Sequence, residues 1–452
     1  MCIRTYIDHV RARIPYMLVG VLVIASIVAG ILSFGYQPRV EVRVFRTALA
    51  IDSSCQMGRG LPVPIAGAAN GLSPLLASSP SGVVLASQDL KFGTGLGGAQ
   101  LWRVDNQCRP VNGFGTKGTE FFLPPSVSTS ASEPYPLVVS ALTITTHNRV
   151  LLAGSFSNKW IVCELTRTGA PEDTFGRRGC LSFVPFGFSA IQQIPPSIAV
   201  VAMSTSGIIY LGGNAGEPHS DVQGLLYAVT PRGSIDTHFG SFGHVTVFPP
   251  PIGVGTELTG LAVERNGDLV TSGWLGGAGC GHTQVEVLTA TGHRLTEINT
   301  RVDHSLRVIP ADNQTELVAS EGDGFELVGW GQSSCGDPYT EHGVMQSIFD
   351  FRIPSNGIAT SSDLISIPGT TVSNAVVVGH STIAYFADLH LVTFTHPSEE
   401  HPQSSVTLSN ITHRSSNAIH PISIPCLAAK GKNGIWVLVP TSTGLRVFSV
   451  SI

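Results

Sequence analysis

Histidine and acidic side chains recur in four polar segments of this sequence, each of which joins two apolar runs. The segments span 88–100, 214–224, 276–284 and 331–343. Imidazole and carboxylate groups that converge on one rim bind cations and hydrogen-bond donors. The seven candidate ligand-binding residues are Lys91, His219, Asp221, His282, Tyr339, Glu341 and His342. Solvated loop polarity explains the same residues without any site, and whether a metal binds stays open.

Signatures of known catalytic machinery are missing from the sequence. It contains no H-E-x-x-H zinc pair and no calcium loop with a distal glutamate. The nearest match to a serine nucleophile motif, Gly379-His-Ser-Thr-Ile, lacks the closing glycine. We therefore expect a protein that is not an enzyme and has no cofactor. The alternative is a metal-assisted lyase or hydrolase that uses the histidine and acidic residues of the polar segments.

The composition excludes several classes of protein. Charged residues make up 13% of the 452 residues, and the chain holds 50 Gly and 29 Pro, which disfavours helical bundles and coiled coils. A hydrophobic fraction of 42% and a mean hydropathy of +0.24 disfavour disorder. The net charge of −5, from 26 basic and 31 acidic residues, gives no footprint for nucleic acid.

One segment is long and apolar enough to cross a membrane. Residues 16–36 form an uncharged run with a tyrosine at each end, and about 20 apolar residues span a bilayer as a helix. We predict a cytoplasmic tail over 1–15, an anchor over 16–36 and an exported remainder. A cleaved signal peptide is the alternative, with Ala25 and Ala29 as small residues near a cleavage site.

A turn-and-strand unit recurs about every sixty residues. Its turn positions are Gly82, Asn148, Gly207 and Gly267, spaced 66, 59 and 60 residues apart. The first three units continue to a second turn that ends in Phe-Gly, at 114, 175 and 239. Weaker copies follow in phase near 324, 378 and 432. The spacing predicts seven units.

These units resemble the delta-60 repeat of bacterial surface proteins. The likeness rests on an Asn/Ser-Gly turn, a strand ending in Ala-Gly or Gly-Gly, and an acidic residue ahead of Phe-Gly-x-x-Gly. Units two and three match best, over Gly169–Gly179 and Gly233–Gly243, with His238 interpreted as an extra residue. Unit one has Asn112-Gly in place of the acidic residue, and units four to seven lack Phe-Gly. The resemblance implies a propeller-type fold and little about chemistry.

The residues predict the same architecture. Each unit has about four short apolar strands between Gly, Pro, Asn and Ser turns, which form one antiparallel sheet that cannot bury both faces alone. We predict an all-β chain: a β-propeller of about seven four-stranded blades over 81–452, after a linker over 37–80. Within the linker, residues 39–46 are a possible ring-closing strand. In this topology the four polar segments share one face.

The Phe-Gly motifs are interpreted as structural. Asp173 and Asp236 are expected to accept backbone N–H groups of their turns. The phenylalanines are expected to wedge between blades, and the glycines to adopt positive φ.

Seven of the eight cysteines lie beyond the predicted anchor, without a C-x-x-C spacing, which favours disulfides in an oxidising compartment. Cys163 and Cys180 flank a turn and are predicted to pair across two antiparallel strands. Cys280 and Cys335 occupy the same position in units four and five and are predicted to link adjacent blades. Unpaired thiols, or a Cys55–Cys108 pair, are the alternatives.

Together these features predict a single-pass membrane protein whose bulk lies outside the cytoplasm or at the cell surface. Its expected function is that of a binding or scaffold module for a protein, a glycan or an envelope component.

Overall fold

The fold is described from a computed structural model of the chain. The residues it describes are 50–51, 61–63, 75–90, 97–124, 137–156, 158–187, 196–216, 222–248, 255–264, 266–277, 280–299, 314–319, 325–332, 345–353, 361–368, 372–378, 382–387, 390–395, 404–407, 426–429, 434–441 and 444–451. The chain divides into two units, Met1–Arg43 and Val44–Ile452, and every described strand belongs to the second.

The described strands form seven antiparallel sheets, numbered here in chain order. Sheets 1 to 4 each contain four consecutive strands. Sheet 1 comprises β3 (Leu75–Ser79), β4 (Gly82–Leu90), β5 (Gly97–Asp105) and β6 (Thr119–Phe122); sheet 2, β7 (Val138–Ile144), β8 (Val150–Phe156), β9 (Lys159–Leu165) and β10 (Cys180–Phe183); sheet 3, β11 (Ser197–Met203), β12 (Ile209–Ala215), β13 (Gln223–Val229) and β14 (His244–Val247); sheet 4, β15 (Gly255–Val263), β16 (Leu269–Gly277), β17 (Cys280–Leu288) and β18 (Arg294–Asn299).

Sheets 5 and 6 repeat this order, and sheet 7 combines both ends of the second unit. Sheet 5 comprises β19 (Gln314–Ala319), β20 (Phe325–Gln332), β21 (Met345–Ile353) and β22 (Ser361–Pro368); sheet 6, β23 (Val372–Val378), β24 (Thr382–Ala387), β25 (His390–Thr395) and β26 (Ser404–Thr407); sheet 7, β27 (Cys426–Ala429), β28 (Gly434–Thr441) and β29 (Gly444–Ser451), with β1 (Ala50–Ile51) and β2 (Leu61–Val63) paired to β29.

The sheets stand next to one another in a closed cycle. The first strand of each sheet contacts the sheets before and after it, and β27 of sheet 7 contacts β3 of sheet 1. Apolar clusters fill the spaces between sheets 1 and 2, 2 and 3, 3 and 4, and 7 and 1. The sheets bury their faces against one another, as stacked blades do. The arrangement fits an all-β propeller, and the predicted all-β class with four-stranded units is confirmed.

Strands β1 and β2, in the N-terminal part of the second unit, complete sheet 7. Ala50 pairs with Ser451, and Leu61 pairs with Val447. The predicted closing strand, residues 39–46, lies outside the described residues. Strands β1, β2 and β3 all fall within the predicted 37–80 linker, so the sheets begin earlier than residue 81. Strands of two or three residues are too short to show an alternating pattern.

Each sheet has two ends, which define two faces of the ring. The upper face holds the starts of the first strands and the second-to-third strand connections. The lower face holds the first-to-second strand turns and the third-to-fourth strand connections. Backbone bonds join the lower ends of neighbouring sheets: Gly115 N donates to Thr168 O at 2.8 Å, and Gly176 N donates to Arg232 O at 2.7 Å. Gly240 N donates to Thr291 O at 2.8 Å in the same way, so sheets 1 to 4 present one common lower face.

The Phe-Gly motifs lie at these junctions, as predicted. Phe114, Phe175 and Phe239 are buried against the next sheet. The glycines after them, at 115, 176 and 240, have φ of 48°, 55° and 55°. A side chain there would meet the backbone of the following strand. The phenylalanine of each motif therefore packs its sheet onto the next one, and the glycine lets the turn close against the fourth strand of its own sheet.

The structure corrects how the motifs of units two and three were matched in the sequence. Phe175 N bonds to Glu172 O, and Phe239 N bonds to Asp236 O, so Glu172 and Asp236 are the equivalent residues. His238 is therefore not an insertion, and Asp173 is an exposed neighbour of the motif. Asp236 does accept a backbone bond, from His238 N at 3.1 Å.

The predicted Cys163–Cys180 disulfide is confirmed. The two residues face each other in the β9–β10 ladder, with 4.1 Å between their Cα atoms. Cys108 is also disulfide-bonded. Cys280 begins β17, whereas Cys335 lies outside the described residues, so the second predicted pair stays a prediction.

Within the described ranges, no helix is long and apolar enough to cross a membrane. The predicted anchor, residues 16–36, lies outside those ranges.

Candidate functional site: the upper face

Bulges distort several innermost strands near the upper face. In β7, β11 and β15, one extra residue interrupts the ladder: Ser140, Ala199 and Thr259 respectively. In all three the bulge falls opposite the fourth and fifth residues of the second strand, and in β23 it falls one position further on, at Ser373. Bulges redirect side chains and leave backbone groups outside the ladder. The upper end of the inner wall is therefore not a plain strand edge.

Glycines opposite three of these bulges permit the distortion. A Cβ on Gly154 would overlap the carbonyl oxygen of Val138. A Cβ on Gly213 would overlap Ser197 O, and one on Gly273 would overlap Glu257 O. Each glycine lets the innermost strand fold closely onto its neighbour. These are the glycines that end the repeated Ala-Gly, Gly-Gly and Ser-Gly strands of the sequence.

Side chains at the bulges are half-buried and hydrogen-bonded. The Ser140 hydroxyl donates to Ile198 O on the innermost strand of the next sheet. The Thr259 hydroxyl donates to Ser272 O at 3.4 Å within its own sheet. Asn214 Oδ1 accepts Leu258 N at 2.8 Å, which links sheets 3 and 4 near the upper face. The inner wall here presents hydroxyl, amide and backbone groups, which suit a polar ligand.

A threonine anchors one of the predicted polar segments to this wall. Thr256 N donates to Val222 O at 2.9 Å, and the Thr256 hydroxyl donates to the same oxygen at 3.3 Å. The Thr256 hydroxyl also accepts Gly224 N at 3.0 Å. The connection of 216–222, in which His219 and Asp221 lie, thus ends against the innermost strand of sheet 4.

Most sequence-predicted site residues lie outside the described residues: Lys91, His219, Asp221, Tyr339, Glu341 and His342. Their chain positions are nevertheless defined by the strands around them. The connections 91–96, 216–222 and 333–344 each join the second and third strands of a sheet, in sheets 1, 3 and 5. All three leave and re-enter at upper strand ends.

The polar segment 276–284 was predicted as a loop, and this was wrong. Strand β16 continues to Gly277 and β17 begins at Cys280, so the hairpin connection has only two residues. His282 therefore lies in a strand, paired with Leu275. The glycines around 276 signalled a loop, but they also permit a tight hairpin.

No three His, Cys, Asp or Glu side chains gather into a possible metal site within the described ranges. The described part of the upper face offers hydrogen-bonding groups and no nucleophile paired with a base.

An aromatic stack lies between sheets 2 and 3, where Phe186, just after β10, meets Tyr227 of β13 and His244, the first residue of β14. The Phe186 ring stacks on His244 with centroids 4.6 Å apart, and His244 stacks on Tyr227 at 5.2 Å. Phe186 N donates to the Tyr227 hydroxyl at 2.6 Å. Burial lowers the pKa of His244, and burial raises the pKa of Tyr227. Both pKa directions favour the neutral forms, so the stack is an uncharged junction.

Sequence reasoning missed the inner-wall residues Ser140, Thr256 and Thr259. For Ser140 and Thr259 the signal was indirect: a glycine at the fifth position of the facing second strand, where strand propensity alone favours a larger residue.

Comparisons with known proteins show no family. No family profile matches the chain, and no curated protein matches it. Among solved structures, the polysaccharide lyase Uly1 has 7% identity and a TM-score of 0.45 over 92% of this chain and 95% of that one. A subtype N11 neuraminidase-like protein of A/flat-faced bat/Peru/033/2010 has 8% identity and a TM-score of 0.43 over 90% and 93%. Prolyl oligopeptidase B from Galerina marginata has 6% identity and a TM-score of 0.46 over 82% and 48%. Likeness at this level carries no argument about function.

Proposed function

We propose that this chain is a membrane-anchored, extracytoplasmic β-propeller of the delta-60 repeat type. It acts as a binding or scaffold module and presents its upper face to a protein, a glycan or an envelope component.

The main support for a binding site on the upper face is the set of bulges at the upper end of the inner wall. Ser140, Ala199 and Thr259 sit at one level of three adjacent sheets, each opposite a glycine that would otherwise weaken its strand. The same face holds the connections of 91–96, 216–222 and 333–344. Irregular strand positions that recur at one level of adjacent sheets are typical of sites where a scaffold presents variable groups to a ligand.

Two further features support the proposed location. The Cys163–Cys180 bond, and the disulfide in which Cys108 participates, suit an oxidising compartment. The apolar run of 16–36 suits an anchor that exports the domain after it.

A pair of histidine variants tests which face binds. The full chain, purified in detergent, is applied to a glycan array and to isolated peptidoglycan. We expect binding to weaken about 5- to 30-fold in His282→Ala, because losing one polar contact costs about 1–2 kcal/mol. His293→Ala is the matched control, since His293 is exposed in a lower-face turn of the same sheet. Equal loss in both variants would contradict an upper-face site.

Metal analysis of the same protein separates binding from catalysis. A stoichiometric divalent ion that is lost in His219→Ala or His282→Ala would overturn the non-enzymatic proposal. It would favour the metal-assisted lyase or hydrolase instead.

A further inference from the structure

Basic side chains collect on the lower face of sheets 1 to 3. Five exposed residues lie there in third-to-fourth strand connections: Lys117, Arg167, Arg177, Arg178 and Arg232. We call this set the basic belt. None of the five forms an ion pair with the described part of the chain, whereas Arg109 and Arg149 of the same face are paired with carboxylates. These five cations therefore lack a direct ion pair among the described residues, in a chain whose net charge is −5.

The belt is continuous across two blade junctions. The Gly115–Thr168 backbone bond brings the turn that contains Lys117 next to the turn that contains Arg167. The Gly176–Arg232 bond does the same for Arg177 and Arg232 in the following junction. Like charges held side by side by the backbone repel one another, so they are retained at a cost unless an anionic partner binds. The carboxylates of Glu120, Asp173 and Asp236 on the same face only partly offset them.

An exposed aromatic ring extends the belt to the next junction. Phe242 occupies the same place in its turn as Lys117 and Arg178, and all three have φ of 56°. The Phe242 side chain is 87% exposed. A row of cations that ends in an exposed phenylalanine is the composition of an interfacial membrane contact.

The chain also enters the ring on the lower side. Ala50 pairs with Ser451, the last residue of β29, and third strands run from the upper to the lower face. Thirteen residues, 37–49, separate Ala50 from the predicted anchor. A fully extended chain of that length spans at most about 45 Å. A linker of that length does not prevent the lower face from meeting the bilayer.

We propose that the lower face docks on an anionic membrane surface through the basic belt and Phe242. The upper face then points away from the membrane. This proposal rests on the proposed anchor for its geometry, but the belt itself needs only an anionic bilayer. Basic residues near an anionic surface gain electrostatic energy within a Debye length, so the contact weakens with salt.

Hydrogen exchange of the full chain in lipid nanodiscs tests the docking. One disc contains phosphatidylcholine only, and the other contains about 30% phosphatidylglycerol, enough to carry a negative surface potential. We expect amides of 115–118, 176–179 and 240–243 to exchange about threefold more slowly in the anionic disc, and about 0.5 M salt to remove the difference. Exchange around 155–160 on the upper face should be the same in both discs. Equal exchange of the lower-face turns in the two lipids would overturn the proposal.

Charge reversal gives the matched comparison. Arg178→Glu should reduce the slowing of amide exchange in the anionic disc, and the triple variant Arg177→Glu/Arg178→Glu/Arg232→Glu should abolish it. Lys159→Glu makes the same change at an exposed upper-face position and should leave it intact. Equal effects of Lys159→Glu and Arg178→Glu would contradict a face-specific contact. Release of the protein from the discs in high salt would contradict the anchor but not the contact made by the basic belt. A protein that stays in the discs while its lower-face amides exchange equally fast in both lipids would contradict the basic-belt contact but not the anchor.

Discussion

Cys163 and Cys180 are direct cross-strand partners in sheet 2, joined by a disulfide and buried on the side that faces sheet 1. The bond closes a segment with a sequence separation of 17, which includes the whole Phe175 junction turn. It therefore constrains the turn that connects sheets 2 and 3.

Removing this bond should destabilise the propeller. On the chain-entropy account a loop of this size contributes about 3 kcal/mol. We expect the Cys163→Ala/Cys180→Ala variant to lose about that much unfolding free energy in urea, and the single Cys163→Ala variant to lose nearly the same, since either change breaks the bond. Strictly additive single effects, or both cysteines found as free thiols by mass mapping, would contradict this.

Two phenylalanines of the junction turns should contribute very differently to the free energy of unfolding. Phe175 is fully buried, so Phe175→Ala should cost about 3–5 kcal/mol of unfolding free energy. Phe242 is 87% exposed, and Phe242→Ala should change it by less than about 0.5 kcal/mol. Urea unfolding of the two variants checks the blade-junction role, which similar losses would refute.

The bulge at Ser140 predicts a glycine requirement on the facing strand. Gly154→Ala should cost about 1–3 kcal/mol, because the new Cβ overlaps Val138 O. Gly113→Ala is the control: a Cβ there meets no atom within 4 Å, and the change should cost less than about 0.5 kcal/mol. A stable, fully folded Gly154→Ala protein would mean that the inner strand does not bulge at this position.

Acid should destabilise the junction of sheets 2 and 3 through His244. Burial lowers the pKa of His244 in the folded protein, so the unfolded chain binds this proton more readily. Stability should therefore fall as pH drops below about 6.5, the usual histidine pKa. His244→Gln should make unfolding less sensitive between pH 7 and 5, whereas His293→Gln, at an exposed position, should not. Identical pH profiles for wild type and His244→Gln would rule this out.

Much of the fold could be predicted from the sequence because packing between sheets requires the same residues at the same point of each repeat. Phe114, Phe175 and Phe239 must each reach the next sheet at the same point, so their spacing reports the blade period. The turns of Asn148, Gly207 and Gly267 report it again, since each needs positive φ to close a hairpin. This phase placed the later strands β20 and β28 correctly even where the motif is lost.

The remainder depends on tertiary context that local patterns do not encode. Ala50 and Leu61 belong to strands only because the open edge of β29 is available to them. The hairpin after Gly277 looks like a loop because glycine serves both structures. The inner-wall groups Ser140 and Thr256 are ordinary strand residues by type, and their position at the upper face follows from the closed ring.

Cryo-electron microscopy of the full chain in anionic lipid nanodiscs tests the account most directly. It predicts a closed ring of seven sheets with the Phe242 turn against the disc and the bulges of Ser140 and Thr259 on the side facing away. A ring that stands on its edge, or one whose upper face meets the lipid, would contradict the proposed division between a membrane-facing side and a binding side.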